Sequence, residues 1–384
     1  MKISLPIDIW DPRRGGAEAY LCRLGQALTE RGHEVTILCL AARGEGLPAR
    51  VLPVPRFPRW LRELSFAHRS LRAHKRSGRD VLFAVRHALE ADVYQPHGGS
   101  FRAARRAASR ALGPFMRRAD ACLAPLRLTR RVLFWLDRQV FLRSPEVLTV
   151  SVSAKVEDDL RRTYPDLSFH FRRIHNALDA ERFHDRDREA CSRELRTRWG
   201  ISGESRIAAF VAHKFRAKGL SHAIGTIQKA PRWHLVVAGR DHSRAFAEEA
   251  FRRGVAERVH FLGDVGEPRA LHAGSDALLL PTYYDPCSMA VLEALACGTP
   301  VVTTRHNGAS ELLEAGRSGF IIEEPDDEAA AARALSSIDD GWPAFHEAAS
   351  RSAKRFSWKE HVDSMENVFL EAVEIKRERE KART

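Results

Sequence analysis

The stretch that decides the fold lies in the second half of the chain. Residues Asp285 to Pro300 read DPCSMAVLEALACGTP, a turn followed by an apolar helix that ends at a glycine. An apolar strand pattern precedes it at Ala277 to Leu280, and another follows at Pro300 to Thr304. Open parallel sheets bind ligands at the carboxyl ends of their strands, which is where this turn lies. The sequence therefore predicts a ligand site at the start of this helix.

Strand and helix patterns alternate on both sides of that stretch. The predicted strands are Ile207 to Ala212, His234 to Ala238, Val259 to Leu262, Ala277 to Leu280, Pro300 to Thr304 and Gly319 to Glu323. The predicted helices begin near Gly219, Ser243, Glu267, Ser288, Ala309 and Asp327. Alternation of this kind specifies an α/β fold with a doubly wound parallel sheet.

The first half begins with a similar unit. A strand at Lys2 to Ile9 and a strand at Glu34 to Leu40 flank a helix with apolar residues at helical spacing. Further strands are predicted at Asp80 to Ala84, Asp92 to Gln95 and Glu146 to Ser151, whereas few elements are predicted between Gly44 and Gly78. A chain of 384 residues suits two domains of roughly 150 to 200 residues each. We place the junction in the polar stretch 176–184, giving domains 1–175 and 176–357.

Composition narrows the class of protein. With 44% hydrophobic and 29% charged residues, the chain has the composition of a globular protein. Its six cysteines form no C-x-x-C pair, so neither a zinc knuckle nor a disulfide framework is indicated and a reducing cytosol is expected. No apolar run approaches the ~20 residues that span a bilayer. Any membrane contact is therefore expected to be peripheral.

Positive charge is concentrated in one segment. The net charge is +12, and residues 101–144, the basic segment, hold eleven arginines against two aspartates. We interpret the segment, together with Arg56 to Arg79, as a surface for an anionic membrane or a phosphorylated lipid-linked acceptor. A solvated arginine-rich face is the alternative. Nucleic-acid binding is a further alternative, but interleaved aromatics and a known reading motif are lacking, so no nucleic-acid partner is expected.

The helix that follows Asp285 suits a nucleoside diphosphate. Amide groups at Ser288, Met289 and Ala290 lie at the positive end of the helix dipole and can seat a diphosphate. Glu293 is the only charged side chain on the helix. A carboxylate there needs hydrogen-bond donors, which ribose hydroxyls would supply. The alternative is a structural glutamate paired with an arginine of the next helix.

Cations are needed beside such a site, because a departing diphosphate gains negative charge. The sequence His213-Lys214-Phe215-Arg216-Ala217-Lys218-Gly219 follows the first strand of the second half, at the same sheet edge as Asp285. We take Lys218 as the first candidate and Arg216 as the second. Lys214 and His213 are either part of the site or solvated.

Three motifs in the rest of the chain are weaker. Gly15 and Gly16 lie between the first strand and helix, where a backbone can approach a ligand closely, although a plain tight turn explains them almost as well. His97, in Pro-His-Gly-Gly after a strand, is a candidate ligand of the sugar or acceptor, or else a structural histidine. Asp185-Arg186-Asp187 has the D-x-D pattern of manganese-dependent sugar transferases, but its charged surroundings favour a solvated surface, and no metal site is expected.

These motifs together resemble the retaining glycosyltransferases of family 4, close in character to lipopolysaccharide core glucosyltransferases. The Glu-seven residues-Glu motif of that family is matched by Asp285 and Glu293. Gly298 to Val302, Lys218-Gly219 and Gly15-Gly16 match its other motifs, and Asn176 to Asp179 resembles the segment that opens its second domain. Asp285 in place of glutamate, Asn307 where glycine is common, and Ala177 in place of glycine depart from the pattern.

The resemblance implies a GT-B architecture, with two Rossmann-like domains facing a cleft and a C-terminal helix, within 358–384, crossing back to the first domain. It implies donor binding by the second domain and acceptor binding by the first. The expected activity is retaining, metal-independent transfer of a hexose from a UDP-sugar such as UDP-glucose to a lipopolysaccharide-core or other membrane-associated glycan. No cofactor is expected, because the nucleotide sugar is a co-substrate.

On this reading the candidate catalytic residues are Lys218, Arg216, Asp285 and His97, and the protein works at the cytoplasmic face of the inner membrane. The candidate donor-binding residues are Gly15, Gly16, Arg216, Lys218, Asp285, Ser288, Met289, Ala290 and Glu293. A nucleotide-sugar epimerase on the same fold remains an alternative, as does a basic nucleic-acid-binding protein.

Overall fold

The computed structural model describes residues 1–11, 16–43, 46–123, 127–178 and 182–383. The chain divides into two compact units. The first unit comprises Met1–Arg106, Leu112–His175 and Lys359–Thr384, and the second comprises Asn176–Trp358 together with Ala107–Ala111. None of the helices in the described residues is both long and apolar enough to cross a bilayer.

Strands and helices alternate along most of the described chain. The strands are β1 Lys2–Pro6, β2 Ile9–Trp10, β3 Glu34–Cys39, β4 Ala41–Ala42, β5 Ala49–Val51, β6 Val81–Ala84, β7 Val93–Tyr94, β8 Leu148–Ser151, β9 His170–Arg173, β10 Arg206–Val211, β11 Trp233–Ala238, β12 Val259–Gly263, β13 Ala277–Leu280, β14 Val301–Thr304 and β15 Gly319–Ile322. The α-helices are α1 Gly16–Glu30, α2 Arg59–Ser77, α3 Phe101–Arg110, α4 Pro114–Leu123, α5 Leu128–Arg143, α6 Ala154–Thr163, α7 Arg188–Trp199, α8 Leu220–Lys229, α9 Arg244–Arg252, α10 Arg269–Gly274, α11 Met289–Ala296, α12 Glu328–Asp340, α13 Trp342–Ala353 and α14 Trp358–Arg383.

The first unit is built on a parallel sheet with the order β5-β3-β1-β6-β7-β8-β9. Strands β6 and β8 are buried at every residue, as expected for parallel strands covered on both faces. Helix α14 buries Val362, Met365, Phe369 and Ala372 at helical spacing. The ring of Phe369 meets that of Phe83 on β6 edge to face, with centroids 5.1 Å apart. The C-terminal helix is thus part of the first unit's core.

The second unit is built on a parallel sheet with the order β12-β11-β10-β13-β14-β15. Its strands lie within a residue or two of their predicted bounds, and β13 has the predicted bounds. The helix expected near Ala309 is instead a short 3-10 helix, Gly308–Leu312. The α/β class with two doubly wound parallel sheets is confirmed.

Helices α2 to α6 and strands β4, β5 and β9 of the first unit were not predicted. Helix α2 buries Phe66, Ala67 and Ala73 but is otherwise rich in arginine, so its apolar stripe is narrow. Helices α3, α4 and α5 lie in the basic segment, where charge obscures the helical pattern. Strands β5 and β9 form the two edges of the sheet and have no fully buried residue. Edge strands lack the continuous apolar run of central ones.

Each sheet has a point where the strand order reverses, which is the usual ligand position in open α/β sheets. In the second unit this point lies between β10 and β13. In the first unit it lies between β1 and β6, where Arg86, just after β6, pairs with Asp8 and Glu63. Both points carry charged side chains.

Candidate functional site

The loop that joins β10 to α8 is pressed against the end of β13. Gly219 has φ of +80°, and a Cβ atom there would lie 2.0 Å from the carbonyl oxygen of Pro281. Only glycine tolerates both conditions. The loop is also tied to β11, because the amide of Phe215 donates to Asp241 Oδ2 at 2.9 Å. Lys218 is therefore held where the strand order reverses.

Lys218 and Asp285 meet at this point. Lys218 Nζ donates to Asp285 Oδ2 at 2.5 Å and to the carbonyl oxygen of Tyr284 at 3.1 Å. The amide of Asp285 donates to the carbonyl oxygen of His306 at 3.0 Å, which fixes the turn. Two of the predicted site residues are thus in direct contact. The Asp285 carboxylate offsets much of the ammonium charge.

Helix α11 begins next to this pair, and its first amide groups have no hydrogen-bond partner in the part of the chain that the structure describes. The first hydrogen bond back within the helix runs from the Leu292 amide to the Ser288 carbonyl oxygen, at 3.4 Å, and the Ser288 side chain does not cap the helix. The Ser288 amide donates to Asn307 Oδ1 at 3.3 Å. Of the three predicted amides, those of Met289 and Ala290 therefore remain for an anion at the helix start.

Two buried asparagines hold this turn, and the sequence analysis assigned a role to neither. Asn307 accepts from the Ala309 amide at 3.1 Å and donates to Thr303 Oγ1 at 3.1 Å. Asn176 donates to the carbonyl oxygen of Cys287 at 3.1 Å. Asn307 stood out in the sequence only as a departure from glycine. Its side chain supplies the amide-to-backbone contacts typical of turns.

Glu293 lies on the accessible stripe of α11. Met289, Glu293 and Ala296 are half-buried, whereas the other residues of the helix are buried. Glu293 Oε2 lies 3.4 Å from Nε2 of His272 on α10. Among the described residues the basic side chain next to Glu293 is this histidine, whereas the alternative suggested by the sequence was an arginine of the next helix.

His272 is a further residue at this site that sequence reasoning missed. Its side chain is fully buried, and neither ring nitrogen has a hydrogen-bond partner within the described chain. The contact with Glu293 is close enough for an ionic interaction but lacks hydrogen-bond geometry. Nothing in the sequence around His272 distinguishes it from an ordinary core position.

The other charged or titratable residues of the loop between β10 and α8 are exposed. His213, Lys214 and Arg216 all lie at the surface. No acceptor within the described ranges binds the Arg216 guanidinium. The structure thus brings Lys218, but not Arg216, to Asp285.

In the first unit, Gly15 lies outside the described residues and Gly16 is the first residue of α1. His97 is half-buried after β7, and its ring stacks on that of Tyr20 with centroids 5.2 Å apart. Its position at the carboxyl edge of the sheet is the one predicted.

The D-x-D aspartates form ion pairs. Asp187 binds both terminal nitrogens of Arg269, at 2.6 and 2.9 Å, which lowers the pKa of Asp187 to about 2. Asp185 Oδ2 lies 3.2 Å from Nε2 of His346. Both carboxylates are partly exposed, but neither is simply solvated as predicted, because each is engaged by a basic side chain.

The basic segment forms helices with an exposed, mixed surface. Nine of its eleven arginines are exposed, and Phe115, Met116, Leu128, Trp135 and Leu142 expose 44 to 81% of their area. Asp120 is contacted by three guanidinium groups, those of Arg105, Arg127 and Arg130, at 3.5, 2.6 and 3.4 Å. Around Asp120, which is half-buried, three positive charges therefore surround one negative charge.

Two families of known proteins match the chain. Residues 14–182 match the family described as Glycosyltransferase Family 4, and residues 192–356 match Glycosyl transferases group 1. The chain carries two glycosyltransferase domains. The second of them, the group 1 domain, contains Lys218, Asp285 and Glu293, and the family 4 domain contains His97.

Individual relatives of these domains are distant. A D-inositol 3-phosphate glycosyltransferase of Corynebacterium jeikeium is 28% identical over 61% of this chain and 59% of its own length. The lipopolysaccharide glucosyltransferase WaaG of Escherichia coli is 31% identical over 35% of this chain and 37% of its own length. The chain thus spans less than two thirds of the length of these curated relatives.

Solved structures share the whole fold. WaaG, described as a glycosyltransferase involved in lipopolysaccharide biosynthesis, superposes with a TM-score of 0.77 at 19% identity, covering 97% of this chain and 99% of WaaG. Anabaena HepE in complex with UDP and glucose has a TM-score of 0.71 at 17% identity, covering 97% of this chain and 100% of HepE. The predicted GT-B fold is confirmed. These findings give the epimerase alternative no support.

Proposed function

We propose that this protein is a retaining, metal-independent glycosyltransferase that moves a hexose from a nucleoside diphosphate sugar to an acceptor. One observation carries the proposal: the Lys218 ammonium is fixed against Asp285 beside the unpaired amides that begin α11. The proposal puts the departing diphosphate next to this cation and these backbone donors, where it would gain charge. Both are preorganised, which is what makes such groups effective.

Each residue of the site has a role in this proposal. The amides of Met289 and Ala290 bind the diphosphate, and Lys218 offsets the charge that develops on it. Glu293 accepts hydrogen bonds from the ribose hydroxyls. Asp285 keeps one carboxylate oxygen on Lys218 and offers the other to a sugar hydroxyl.

Retention follows in this proposal from a front-face reaction. The bond between the anomeric carbon and the diphosphate oxygen breaks, the acceptor oxygen bonds to the same face, and the departing phosphate takes the acceptor proton. NMR of the product formed from an α-linked UDP-sugar tests this directly. An α-linked product is expected, and a β-linked product would exclude retention. Turnover should also survive EDTA.

We take UDP-glucose as the first donor to test, with other UDP-hexoses next. The support is the likeness to HepE, which was solved with UDP and glucose and with UDP-glucose. A ligand that binds only the native state raises the unfolding midpoint, so a thermal-shift screen of nucleoside diphosphates and their sugars ranks donors. We expect UDP to raise the midpoint without magnesium.

Variants make that screen specific to the site. Lys218→Ala should abolish the UDP shift, because it removes a cation and leaves the Asp285 carboxylate unpaired beside the diphosphate. Glu293→Ala should abolish it through loss of the ribose contact. Lys214→Ala is the matched control, since this lysine lies in the same loop but is exposed. Equal shifts in all three variants would contradict the proposed donor site.

The acceptor is proposed to be a lipopolysaccharide-core or other membrane-associated glycan, bound by the first unit, with His97 as a sugar or acceptor ligand. The protein would then work at the cytoplasmic face of the inner membrane. The basic segment supports this view. Helix α4 exposes Phe115, Met116, Arg117 and Arg118 in succession, so apolar and cationic groups are adjacent. Such a mixture suits the interface of an anionic bilayer.

Flotation with liposomes tests the membrane contact. The protein should float with anionic vesicles and not with neutral ones, and Arg117→Glu with Arg118→Glu should weaken flotation. Arg244→Glu is the matched control, because Arg244 is almost fully exposed in the second unit. Filter binding to DNA at the same salt concentration tests the nucleic-acid alternative. Strong DNA binding without flotation would favour that alternative.

A further inference from the structure

A buried cluster in the first unit connects three distant parts of the chain. Tyr20 on α1 and His361 on α14 are both almost fully buried, and Tyr20 Oη lies 2.9 Å from His361 Nε2. The Tyr20 ring stacks on His97, with the two ring planes 26° apart. The cluster therefore forms a continuous series of contacts from His361 through Tyr20 to His97.

The hydrogen-bond roles in this series are fixed by chemistry. Burial lowers the pKa of His361 to about 4, so its ring is neutral near pH 7, with one donor and one acceptor nitrogen. Nδ1 lies 2.8 Å from the carbonyl oxygen of His175, which can only accept. Nδ1 therefore carries the proton, and Nε2 accepts from the Tyr20 hydroxyl. Gln95 Nε2 donates to the same hydroxyl oxygen at 3.4 Å.

The hydrogen bond from His361 to the His175 carbonyl oxygen lies where the chain passes from the first unit to the second and back. His175 is the last residue of the first unit before Asn176, and Lys359 is the first residue on the return. The ring of His361 thus joins the outgoing segment to the returning helix. His361 and His175 both belong to the first unit. The Tyr20 hydroxyl is therefore held, through His361, to the backbone of its own unit.

His97 itself is carried by a turn. Its amide donates to the carbonyl oxygen of Gln95 at 2.7 Å, and Gly98 and Gly99 follow, with Gly99 at φ of +70°. Because Gly98 and Gly99 have no side chains, they cannot pack beside the imidazole of His97. A fixed aromatic face on Tyr20 therefore restricts the plane that the His97 ring can adopt.

We propose that Tyr20 and His361 are positioning residues that hold the His97 ring in one orientation for its ligand. The inference rests on the function proposed above, in which His97 contacts the sugar or acceptor. Reacting groups lose much of their effect when misplaced by about 1 Å, and supporting contacts prevent this. Neither residue is required to touch the ligand.

Kinetics of UDP release from UDP-glucose in water, which need no acceptor, provide the first test. Tyr20→Phe removes the hydroxyl and keeps the ring, and His361→Leu removes both nitrogens. Each should lower kcat by roughly tenfold to a hundredfold and leave KM nearly unchanged. His361→Gln, which keeps a donor and an acceptor, should recover most of the loss. Tyr164→Phe is the matched control, because its buried hydroxyl binds Asp137 instead.

A double-mutant cycle separates positioning from general damage to the fold. In a His97→Gln background, Tyr20→Phe and His361→Leu should have little further effect, since the group that they position is gone. Full, additive losses in that background would overturn the proposal. So would an unchanged kcat in the two single variants.

NMR of ring-labelled histidine tests the same inference without turnover. The His97 signals, assigned by comparison with His97→Gln, should shift in Tyr20→Phe and His361→Leu and stay in place in Tyr164→Phe. Unchanged His97 signals in the first two variants would refute the positioning role even if UDP-glucose is consumed. Absence of turnover with shifted signals would instead count against the proposed function alone.

Discussion

Replacement of Gly219 by alanine tests how closely the fold and the site are linked. The backbone at Gly219 has φ of +80°, which costs a residue with a side chain roughly 1–2 kcal/mol. The new Cβ would lie 2.0 Å from the Pro281 carbonyl oxygen, and relieving such overpacking costs about 1–3 kcal/mol more. The free energy of unfolding of the second unit should therefore fall by about 2–5 kcal/mol.

Gly254→Ala isolates the first contribution, the cost of the backbone conformation. Gly254 has φ of +69°, and a Cβ there would meet nothing within 4 Å, so only the cost of roughly 1–2 kcal/mol for the backbone conformation applies. Hydrogen exchange of the β10 and β13 segments across a urea series measures unfolding of the second unit itself. The UDP thermal shift should also be lost in Gly219→Ala, because relief of the contact displaces Lys218. Equal unfolding energies for the two variants, with UDP binding intact, would refute this reasoning.

Four further predictions concern the site and the core. Asn307→Gly should lower the free energy of unfolding by about 2–4 kcal/mol in urea titrations, because three hydrogen bonds of a fully buried amide are lost. Asp285→Glu, which is one methylene longer, should keep the UDP shift but change kcat measured by UDP release. Arg216→Ala should weaken UDP binding more at low than at high salt in calorimetric titrations, because its exposed charge is screened. The thermal midpoint should fall as pH drops from about 6.5 to 4, because burial lowers the pKa of three histidines to about 4 while unfolded imidazole titrates near 6.5. These histidines are His74, His260 and His361. The contribution of each neutral histidine to the free energy of unfolding is complete above pH 6.5, and acidification removes up to about 3 kcal/mol of it. His74→Gln should therefore make the fall of the thermal midpoint with pH less steep.

The second unit was predictable because its strands are buried on both faces. Strand β13 reads as four consecutive apolar residues between turn signals, and its bounds follow directly from that run. The contact between Lys218 and Asp285 could also be predicted from the sequence, because both residues follow strands that flank the reversal of strand order. Helix α2 was not predictable, since three of its buried residues, Glu63, Ser70 and His74, are polar and its apolar stripe is narrow.

Residues that act through a distant neighbour escaped the sequence analysis. His272 and Glu293 are 21 positions apart, and Tyr20 and His361 are 341 apart, so their pairing exists only in the folded chain. Asn307 was visible as an unusual residue, but its role depends on the amide of Ser288, which lies 19 positions earlier. Chemistry-bearing residues can be recognised by type and local pattern. The residues that orient them are ordinary until their contacts are known.

The charges around α11 determine how this site can attract a diphosphate. Lys218 is already paired with Asp285, and Glu293 adds a further carboxylate, so these three side chains carry no net positive charge. In the function proposed above, the attraction comes from the first amides of α11 and from the exposed guanidinium of Arg216, which no carboxylate among the described residues offsets. Lys218 is proposed to act later, on the charge that develops during the reaction. In the proposed reaction, the ammonium is already in place at the edge of the sheet when the glycosidic bond breaks and the diphosphate gains charge, so its interaction would strengthen without any movement of the protein.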